Sequence, residues 1–149
     1  MTEQPMIAFQ ILSIAKDLPV PAYASTGAAG IDLACAEHEV ELLPGTWDKI
    51  DTGLRVAIPQ GFEGQVRPRS GLAHKHGITV LNAPGTIDAD YRGNIAVILI
   101  NHSKMPYTFK RGDRIAQLVI APATIAKILV VEEMESTTRG EGGFGSTGR

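Results

Sequence analysis

Two aspartates stand two residues apart in the segment GTIDADYRGN (residues 85–94), where a carboxylate could serve as a general base. Asp88 and Asp90 point the same way if the segment is extended, because side chains alternate along a strand. An acid near a strand end can take a proton from an attacking water. The same letters also suit a plain turn, since Asp and Gly are common turn formers. Spacing alone does not choose between these two interpretations.

A second segment, PRSGLA (residues 68–73), combines groups that bind phosphate. Arg69 offers a cation, Ser70 a hydroxyl, and Gly71 lets backbone N–H groups approach a ligand. If Ser70 caps a short helix, the helix N-terminus faces the same place. Taken by itself, the segment is more typical of a solvent-exposed turn with an N-cap serine.

The chain ends in RGEGGFGSTGR (residues 139–149), which is either a terminus without a function or an arm that closes over a ligand. Arg139 carries charge, and the glycines beside Ser146 offer N–H donors to phosphate. Phe144 could stack on a base, an interaction worth roughly 1–3 kcal/mol. The segment lacks the lysine of a P-loop. A glycine-rich end is usually disordered.

Other polar residues have simpler interpretations. Asp32, in AGIDLA, is typical of a small-residue turn, and Gln117 lies inside an apolar strand pattern. His74 and His76 are predicted to be surface residues, since a two-residue spacing on a helical turn does not put both rings on one face. Residues 111–113 read Arg-Gly-Asp, which here favours a hairpin turn over a cell-adhesion motif.

Short apolar runs bounded by Gly, Pro, Asn and Asp predict an all-β sandwich or barrel. The runs are IAFQIL, HEVELL, LRVAIP, FEGQVRP, ITVLN, NIAVILIN, RIAQLVI and AKILVVEE. One helical turn is expected between Ser70 and His76. NIAVILIN and AKILVV are almost continuously apolar, which predicts strands buried on both faces or at a subunit interface.

Composition narrows the classes of function. The chain has 149 residues, enough for one domain, and a formal net charge of −2 argues against a protein that coats nucleic acid. Its single cysteine, Cys35, excludes an internal disulfide and is expected to be a small buried apolar residue. No stretch reaches the roughly 18 apolar residues of a membrane span. We therefore expect a cytoplasmic protein that associates with neither membrane nor nucleic acid.

Together, five segments in this order resemble the five motifs of the trimeric deoxyuridine triphosphatases (dUTPases). They are AGIDLA, PRSGLA, GTIDADYRG, RGDRIAQL and RGEGGFGSTG, and they extend from residue 29 to residue 148. The resemblance implies a distorted jelly-roll domain over residues 1–135 and a flexible arm over residues 136–149. It also implies a homotrimer with shared sites: motifs one, two and four come from one chain, motif three from a second, and the arm from the third.

The activity that the resemblance implies is that of a dUTP diphosphatase, which uses Mg2+ to convert dUTP to dUMP and pyrophosphate. Such an enzyme limits uracil incorporation into DNA and supplies dUMP for thymidylate synthesis. Asp88 corresponds to the base that activates water for in-line attack on the α-phosphate. Asp32 corresponds to the residue that contacts the metal through its water shell. Arg69, Ser70, Gly71 and Gln117 correspond to positions that hold the phosphates or the water.

The resemblance assigns the remaining residues to the nucleoside and to the arm. Asn82 corresponds to the position that pairs with uracil in a tight hairpin, and Tyr91 to the residue that stacks under deoxyribose and excludes a 2′-hydroxyl. In the arm, Arg139 and Ser146 reach the γ-phosphate with Gly145 beside them, and Phe144 covers the base.

Two alternatives remain open at the level of sequence. A related deaminase of deoxycytidine triphosphate uses an acid on the strand after motif three, and NIAVILIN has none. A non-catalytic module that binds nucleotides or a protein partner is the second alternative, and the simultaneous presence of Asp88, Tyr91, Arg139 and Phe144 argues against it.

Overall fold

The computed structural model describes residues 4–143, and β-strands dominate it. The strands are β1 (Ala8–Ile11), β2 (Gly30–Ala34), β3 (Glu39–Leu42), β4 (Trp47–Ala57), β5 (Phe62–Arg67), β6 (Ile78–Val80), β7 (Gly85–Ile87), β8 (Ile95–Asn101), β9 (Tyr107–Lys110) and β10 (Arg114–Pro122). A 3-10 helix (Ser13–Ala15) follows β1, and α1 (Ser70–His76) lies between β5 and β6. The prediction of an all-β fold with one short helix at this place is confirmed.

The strands form three antiparallel sheets. Sheet A has the order β1-β4-β8-β6, sheet B has the order β2-β10-β5-β7, and sheet C pairs β3 with β9. Side chains from all three sheets meet in one apolar core, in which Leu33, Ile50, Phe109 and Leu118 are fully buried. Two four-stranded sheets around one core form the distorted jelly-roll that the sequence predicted.

Alternating burial along the strands gives each sheet a core face and an outer face. In β2 the buried residues Ile31 and Leu33 flank the half-buried Asp32, and β8 alternates in the same way over its whole length. The apolar sequence of β8 predicted burial on both faces. In the single chain only one face enters the core, and Ile98 on the other face is half-buried.

The AKILVV segment forms no strand in this chain. Residues 123–143 carry no helix or strand, and Ile128 and Val130 are 93% and 90% exposed. The prediction of a strand is therefore wrong for the isolated chain, because the segment pairs with no strand within residues 4–143. Burial of this segment at a subunit interface stays a prediction. No helix in the described part of the chain is long and apolar enough to cross a membrane.

The ends of α1 explain its position. Gly77 adopts a left-handed conformation (φ 63°) and its N–H reaches the carbonyls of Leu72 and Ala73, which ends the helix. At the other end the N-cap residue is Arg69, whose side chain makes no capping bond. Ser70 is the first helical residue, so the idea that its hydroxyl caps the helix is wrong.

Candidate active site

Charged and polar side chains gather on the outer face of sheet B where β2 and β10 pair. Asp32 and Gln117 are direct partners in this antiparallel ladder, so their side chains share one face. The Asp32 carboxylate lies 3.4 Å from Nε of Arg69 and 3.3 Å from Nη1 of Arg114. We call these four residues the Asp32 cluster. The cluster unites residues of motifs one, two and four, as the sequence predicted.

Arg69 ties the loop after β5 to the start of β10. Its Nη1 donates to the backbone carbonyl of Arg114 at 3.0 Å while its Nε faces Asp32. The side chains of Arg69 and Asp32 are 27% and 30% exposed, so the ion pair is open to solvent on one side. An anion that enters from this side would meet cationic groups already fixed in place.

Gln117 is held in one orientation by its neighbours. Its Nε2 donates to the carbonyl of Pro68 at 3.0 Å, and its side chain crosses Gly30. A Cβ on Gly30 would lie 2.3 Å from Oε1 of Gln117. The glycine of AGIDLA therefore leaves the space that this amide occupies. Gln117 is therefore half-buried and has a backbone partner.

Ser70 and Gly71 are exposed at the start of α1, directly after Arg69 in the chain. A Cβ on Gly71 would meet nothing within 4 Å. Packing within this chain therefore does not require a glycine at position 71. Both residues remain open to a ligand on the side where Arg69 lies.

A separate pocket of about 160 Å³ lies between β7, the edge strand of sheet B, and β8 of sheet A. Asn82, Asp88 and Tyr91 line it together with buried aliphatic side chains. Asp88 is exposed just after β7, and its carbonyl accepts the N–H of Tyr91 at 3.1 Å. The segment is thus a turn, as one interpretation of its sequence predicted, and it places Asp88 at the edge of a pocket. The role of Asp88 as a general base stays a prediction.

The ring of Tyr91 is fixed from two directions. Its hydroxyl donates to the carbonyl of Asn94 at 2.9 Å. A Cβ on Gly93 would lie 2.3 Å from that hydroxyl oxygen and 2.5 Å from Cζ, so only glycine lets the ring take this position. The turn carrying Asn82 joins β6 of sheet A to β7 of sheet B, so it is not a hairpin within one sheet.

The strand register separates Asp88 from the Asp32 cluster of its own chain. Continuing the β5–β7 ladder sets Asp88 beside Glu63, and Glu63 pairs with Ala121. Gln117 is four residues from Ala121 along β10, which is about 14 Å, and β10 lies two strand spacings of about 4.8 Å from β7. The carboxylate of Asp88 and the amide of Gln117 therefore cannot contact the same water within one chain.

Comparison with known proteins gives the chain its relatives. The family model described as dUTPase matches residues 16–148. The chain belongs to the dUTPase family. A deoxyuridine 5'-triphosphate nucleotidohydrolase of Anaeromyxobacter sp. (strain Fw109-5) is 58% identical over 132 residues, which cover 89% of each chain.

Solved dUTPase structures share the fold. A mutant of the Staphylococcus bacteriophage 80alpha dUTPase with dUpNHpp is 31% identical, covers 97% of this chain and 99% of that one, and superposes with a TM-score of 0.85. A mutant dUTPase from phage phi11 of S. aureus, described with a coordinated structural Mg(II) ion, is 27% identical. It covers 88% of this chain and 99% of that chain, with a TM-score of 0.78.

The glycine-rich end of this dUTPase family member lies mostly beyond the described residues. Phe144, Gly145 and Ser146 fall outside residues 4–143. Arg139 is exposed, and its Nε donates to the carbonyl of Gly142 at 2.8 Å within a local turn. Within residues 4–143, Arg139 makes no hydrogen bond or ion pair with another candidate residue.

The remaining candidates have structural roles. Cys35 is fully buried, and desolvation raises the pKa of its thiol, as expected for an unreactive cysteine. His74 and His76 are exposed, and residues 4–143 contain no cluster that would hold a metal by three His, Cys, Asp or Glu side chains. Residues 111–113 form a turn, but it joins β9 of sheet C to β10 of sheet B, so the prediction of a hairpin is wrong. Arg111 anchors this turn to Asp17 at 2.5 Å.

Sequence reasoning placed one residue wrongly and missed three. Asp32 lies in the middle of β2, not in a turn, because the alternation of that strand is only five residues long. Arg114 pairs with Asp32 across the sheet, which spacing cannot reveal. Gly30 lies in AGIDLA and Gly93 in GTIDADYRG. A glycine close to a candidate side chain in a motif indicates that the backbone must leave space there, and this could have identified both.

Proposed function

We propose that this protein hydrolyses dUTP to dUMP and pyrophosphate. Membership of the dUTPase family supports the reaction, and the Asp32 cluster supplies the cations that a triphosphate needs. The observation that carries the proposal is the presence, in one chain, of this cationic cluster and of a separate pocket lined by Asp88, Asn82 and Tyr91. We also propose a cytoplasmic location for the enzyme.

In the proposed reaction, Asp88 takes a proton from a water that attacks the α-phosphorus. The bond between that phosphorus and the oxygen bridging to the β-phosphate breaks, and pyrophosphate leaves with the electron pair. The amide of Gln117, fixed by Pro68 and by the space above Gly30, orients the water or an adjacent phosphate oxygen. Pre-positioning of this kind can supply much of the rate enhancement.

The Asp32 cluster fits a magnesium ion held through water better than one ligated directly. Mg2+ keeps several waters and prefers carboxylate oxygens. Both oxygens of Asp32 already face guanidinium groups, at 3.4 Å and 3.3 Å, so the carboxylate is charge-compensated without an ion. Its exposed lone pairs remain able to accept hydrogen bonds from metal-bound water. When bound, Mg2+ would offset charge on the triphosphate oxygens.

We infer that each site is shared within a homotrimer. A base and a water-orienting amide must both lie within about 3 Å of the same water. The strand register keeps Asp88 and Gln117 of one chain much farther apart than that. A second subunit that brings its Asp88 to the first subunit's Asp32 cluster removes this conflict.

Specificity in this proposal comes from the pocket. Asn82 pairs with uracil, and the snug turn around it leaves no room for the 5-methyl of thymine. Tyr91 lies under the deoxyribose and excludes a 2′-hydroxyl. Its ring is already fixed by the carbonyl of Asn94 and by Gly93, and only a rigid site can reject a substrate for one added group.

The arm, residues 136–149, closes a site of another subunit in this proposal. Arg139 and Ser146 reach the γ-phosphate, Gly145 lies beside them, and Phe144 covers the base. Residues 123–143 are almost all exposed and pack little against the β-sheets of their own chain. This supports an arm that extends away from its own domain.

The first experiment measures turnover of dUTP, dTTP, dCTP, dATP, dGTP and UTP with Mg2+. We expect pyrophosphate release from dUTP alone, and ammonia release from dCTP would favour the deaminase instead. Asp88→Asn should abolish turnover and retain binding of dUpNHpp. Asp90→Asn is the matched control, since this acid lies two residues away in the same turn, and it should retain most activity. Equal turnover of dTTP and dUTP would contradict the proposal.

The second experiment tests whether the site is shared. Asp88→Asn chains, expected to be inactive alone, and Gln117→Ala chains, expected to retain low but measurable activity, are unfolded together and refolded as mixed trimers. If the base and the amide come from different chains, about a quarter of the sites contain both intact residues. Activity should then rise in the mixture above that of either component. A mixture no more active than its components would show that each site uses one chain.

A further inference from the structure

One arginine on the outer face of sheet B lies next to the proposed site but belongs to none of the five motifs. Arg67 is the last residue of β5 and is the direct β5 partner of Gln117, which pairs on its other side with Asp32. Partners in antiparallel ladders share a face, with Cβ atoms about 5 Å apart. Asp32, Gln117 and Arg67 therefore form one row across three strands.

Neighbours on the same strand hold the Arg67 side chain on this face. Its Nε and Nη2 donate to Oε1 of Gln65 at 3.0 Å and 2.5 Å, and Nε2 of Gln65 donates to Oε1 of Glu63 at 2.7 Å. These residues are two apart, so the ladder of side chains follows the outer face of β5. The bonds fix the guanidinium near Gln117 without neutralising it, because the group that accepts them is an uncharged amide.

The charges around this row are unbalanced. Arg69 and Arg114 are both paired with the carboxylate of Asp32. Within residues 4–143, no carboxylate oxygen lies within 4 Å of a nitrogen of Arg67, and the side chain is exposed. The face that carries Gln117 therefore presents a cation with no anionic partner of its own.

We propose that Arg67 is an additional phosphate-binding residue, which contacts the triphosphate on the side of Gln117 opposite Asp32. The inference rests on the proposed function, since it takes dUTP as the ligand. It follows from the shared face with Gln117, the fixed and uncompensated charge, and the exposure of the guanidinium. A phosphate oxygen supplies the negative charge that the row lacks, and guanidinium groups match phosphate geometry.

The test compares Arg67→Gln with Arg67→Lys. Arg67→Gln removes the charge but can still form a hydrogen bond with Gln65. Arg67→Lys keeps the charge but lacks the planar guanidinium group. Arg55→Gln is the matched control: Arg55 is also an exposed strand arginine whose Nε donates to a side-chain amide, Oδ1 of Asn94 at 2.9 Å, but it lies on sheet A. Asn94 holds Tyr91 through its backbone carbonyl, so this control leaves that bond intact.

Binding of dUpNHpp and of deoxyuridine separates contacts with the phosphates from contacts with the nucleoside. We expect Arg67→Gln to bind dUpNHpp about tenfold more weakly, the size of one lost charge-assisted contact. Deoxyuridine should bind as to the wild type, and Arg67→Lys should recover most of the loss. Arg55→Gln should match the wild type with both ligands.

Three results would overturn the inference. They are unchanged dUpNHpp affinity in Arg67→Gln, an equal loss for deoxyuridine and dUpNHpp, and a fall in solution mass that reveals a subunit contact at Arg67. Failure of the proposed function looks different, because the wild type itself would then not hydrolyse dUTP. A wild type that hydrolyses dUTP, with Arg67→Gln unaffected, removes only the role of Arg67.

Discussion

Gly30→Ala tests whether the position of one amide controls catalysis. The added Cβ would lie 2.3 Å from Oε1 of Gln117 and 3.1 Å from its Cβ and Cδ, whereas ordinary contacts begin at 3.4 Å. The amide oxygen must therefore move by about 1 Å, and the bond from Nε2 to the carbonyl of Pro68 lengthens or breaks. The nearest atom ends a flexible side chain and can move away, whereas Cβ of Gln117 must shift by only a few tenths of an ångström.

The two consequences of this substitution differ in size. A misplacement of 1 Å in a catalytic group can lower the rate by about 100-fold, so we expect kcat for dUTP to fall between tenfold and that value. Stability should change by no more than about 1 kcal/mol, since the lost hydrogen bond is worth about that much. Gly30 is absent from the glycines with positive φ, so alanine brings no backbone strain.

The assay pairs steady-state turnover of dUTP with denaturant unfolding of the same preparations. Gly27→Ala is the control, because a Cβ at Gly27 meets nothing within 4 Å and this residue lies just before the same strand. A double-mutant cycle with Gln117→Ala then shows whether Gly30→Ala lowers kcat by displacing the amide of Gln117. In that background Gly30→Ala should cost nothing further. Full activity in Gly30→Ala, or a loss that simply adds to that of Gln117→Ala, would refute the reasoning.

Three further outcomes follow from the same geometry. Gly93→Ala should displace the ring of Tyr91 and lower the preference for dUTP over UTP, measured as a ratio of kcat/KM values; an unchanged ratio would exclude Tyr91 as the ribose filter. Deletion of residues 139–149 should leave a folded trimer with severely lowered turnover, checked by solution mass and activity, and full activity would exclude a closing arm. Cys35 should resist alkylation at pH 8 until the protein is unfolded, because burial raises the pKa of its thiol, and rapid labelling of the native protein would contradict this.

The sequence predicted the strands well where turn formers bounded a short run that contains apolar residues. The runs from Phe62 and from Ile95 became β5 and β8 almost to the residue. The prediction failed for β2, whose five residues contain Gly30 and Asp32, both poor strand formers by composition. Pairing with β10 overrides that preference, since the ladder and the burial of Ile31 and Leu33 decide the conformation.

The AKILVV segment shows what a single chain cannot decide. Its residues have the β-branched and aliphatic composition of a buried strand, yet Ile128 and Val130 are almost fully exposed. A strand needs a partner for its backbone groups, and residues 4–143 offer this segment none. The segment is apolar as its sequence indicated, and its burial at a subunit interface stays a prediction.

The distance between Asp88 and Gln117 is a second feature that the sequence alone did not predict. The resemblance to the dUTPase motifs singled out Asp88 and Gln117, but the order of residues along the chain does not state how far apart two strands hold them. The ladders supply that distance: four residues along β10 and two strands across sheet B. Since no side-chain rotation closes a gap of that size, the proposed reaction requires that Asp88 and Gln117 of one site come from different copies. The proposal therefore predicts activity only in the assembled trimer, and mixed trimers are its most direct test.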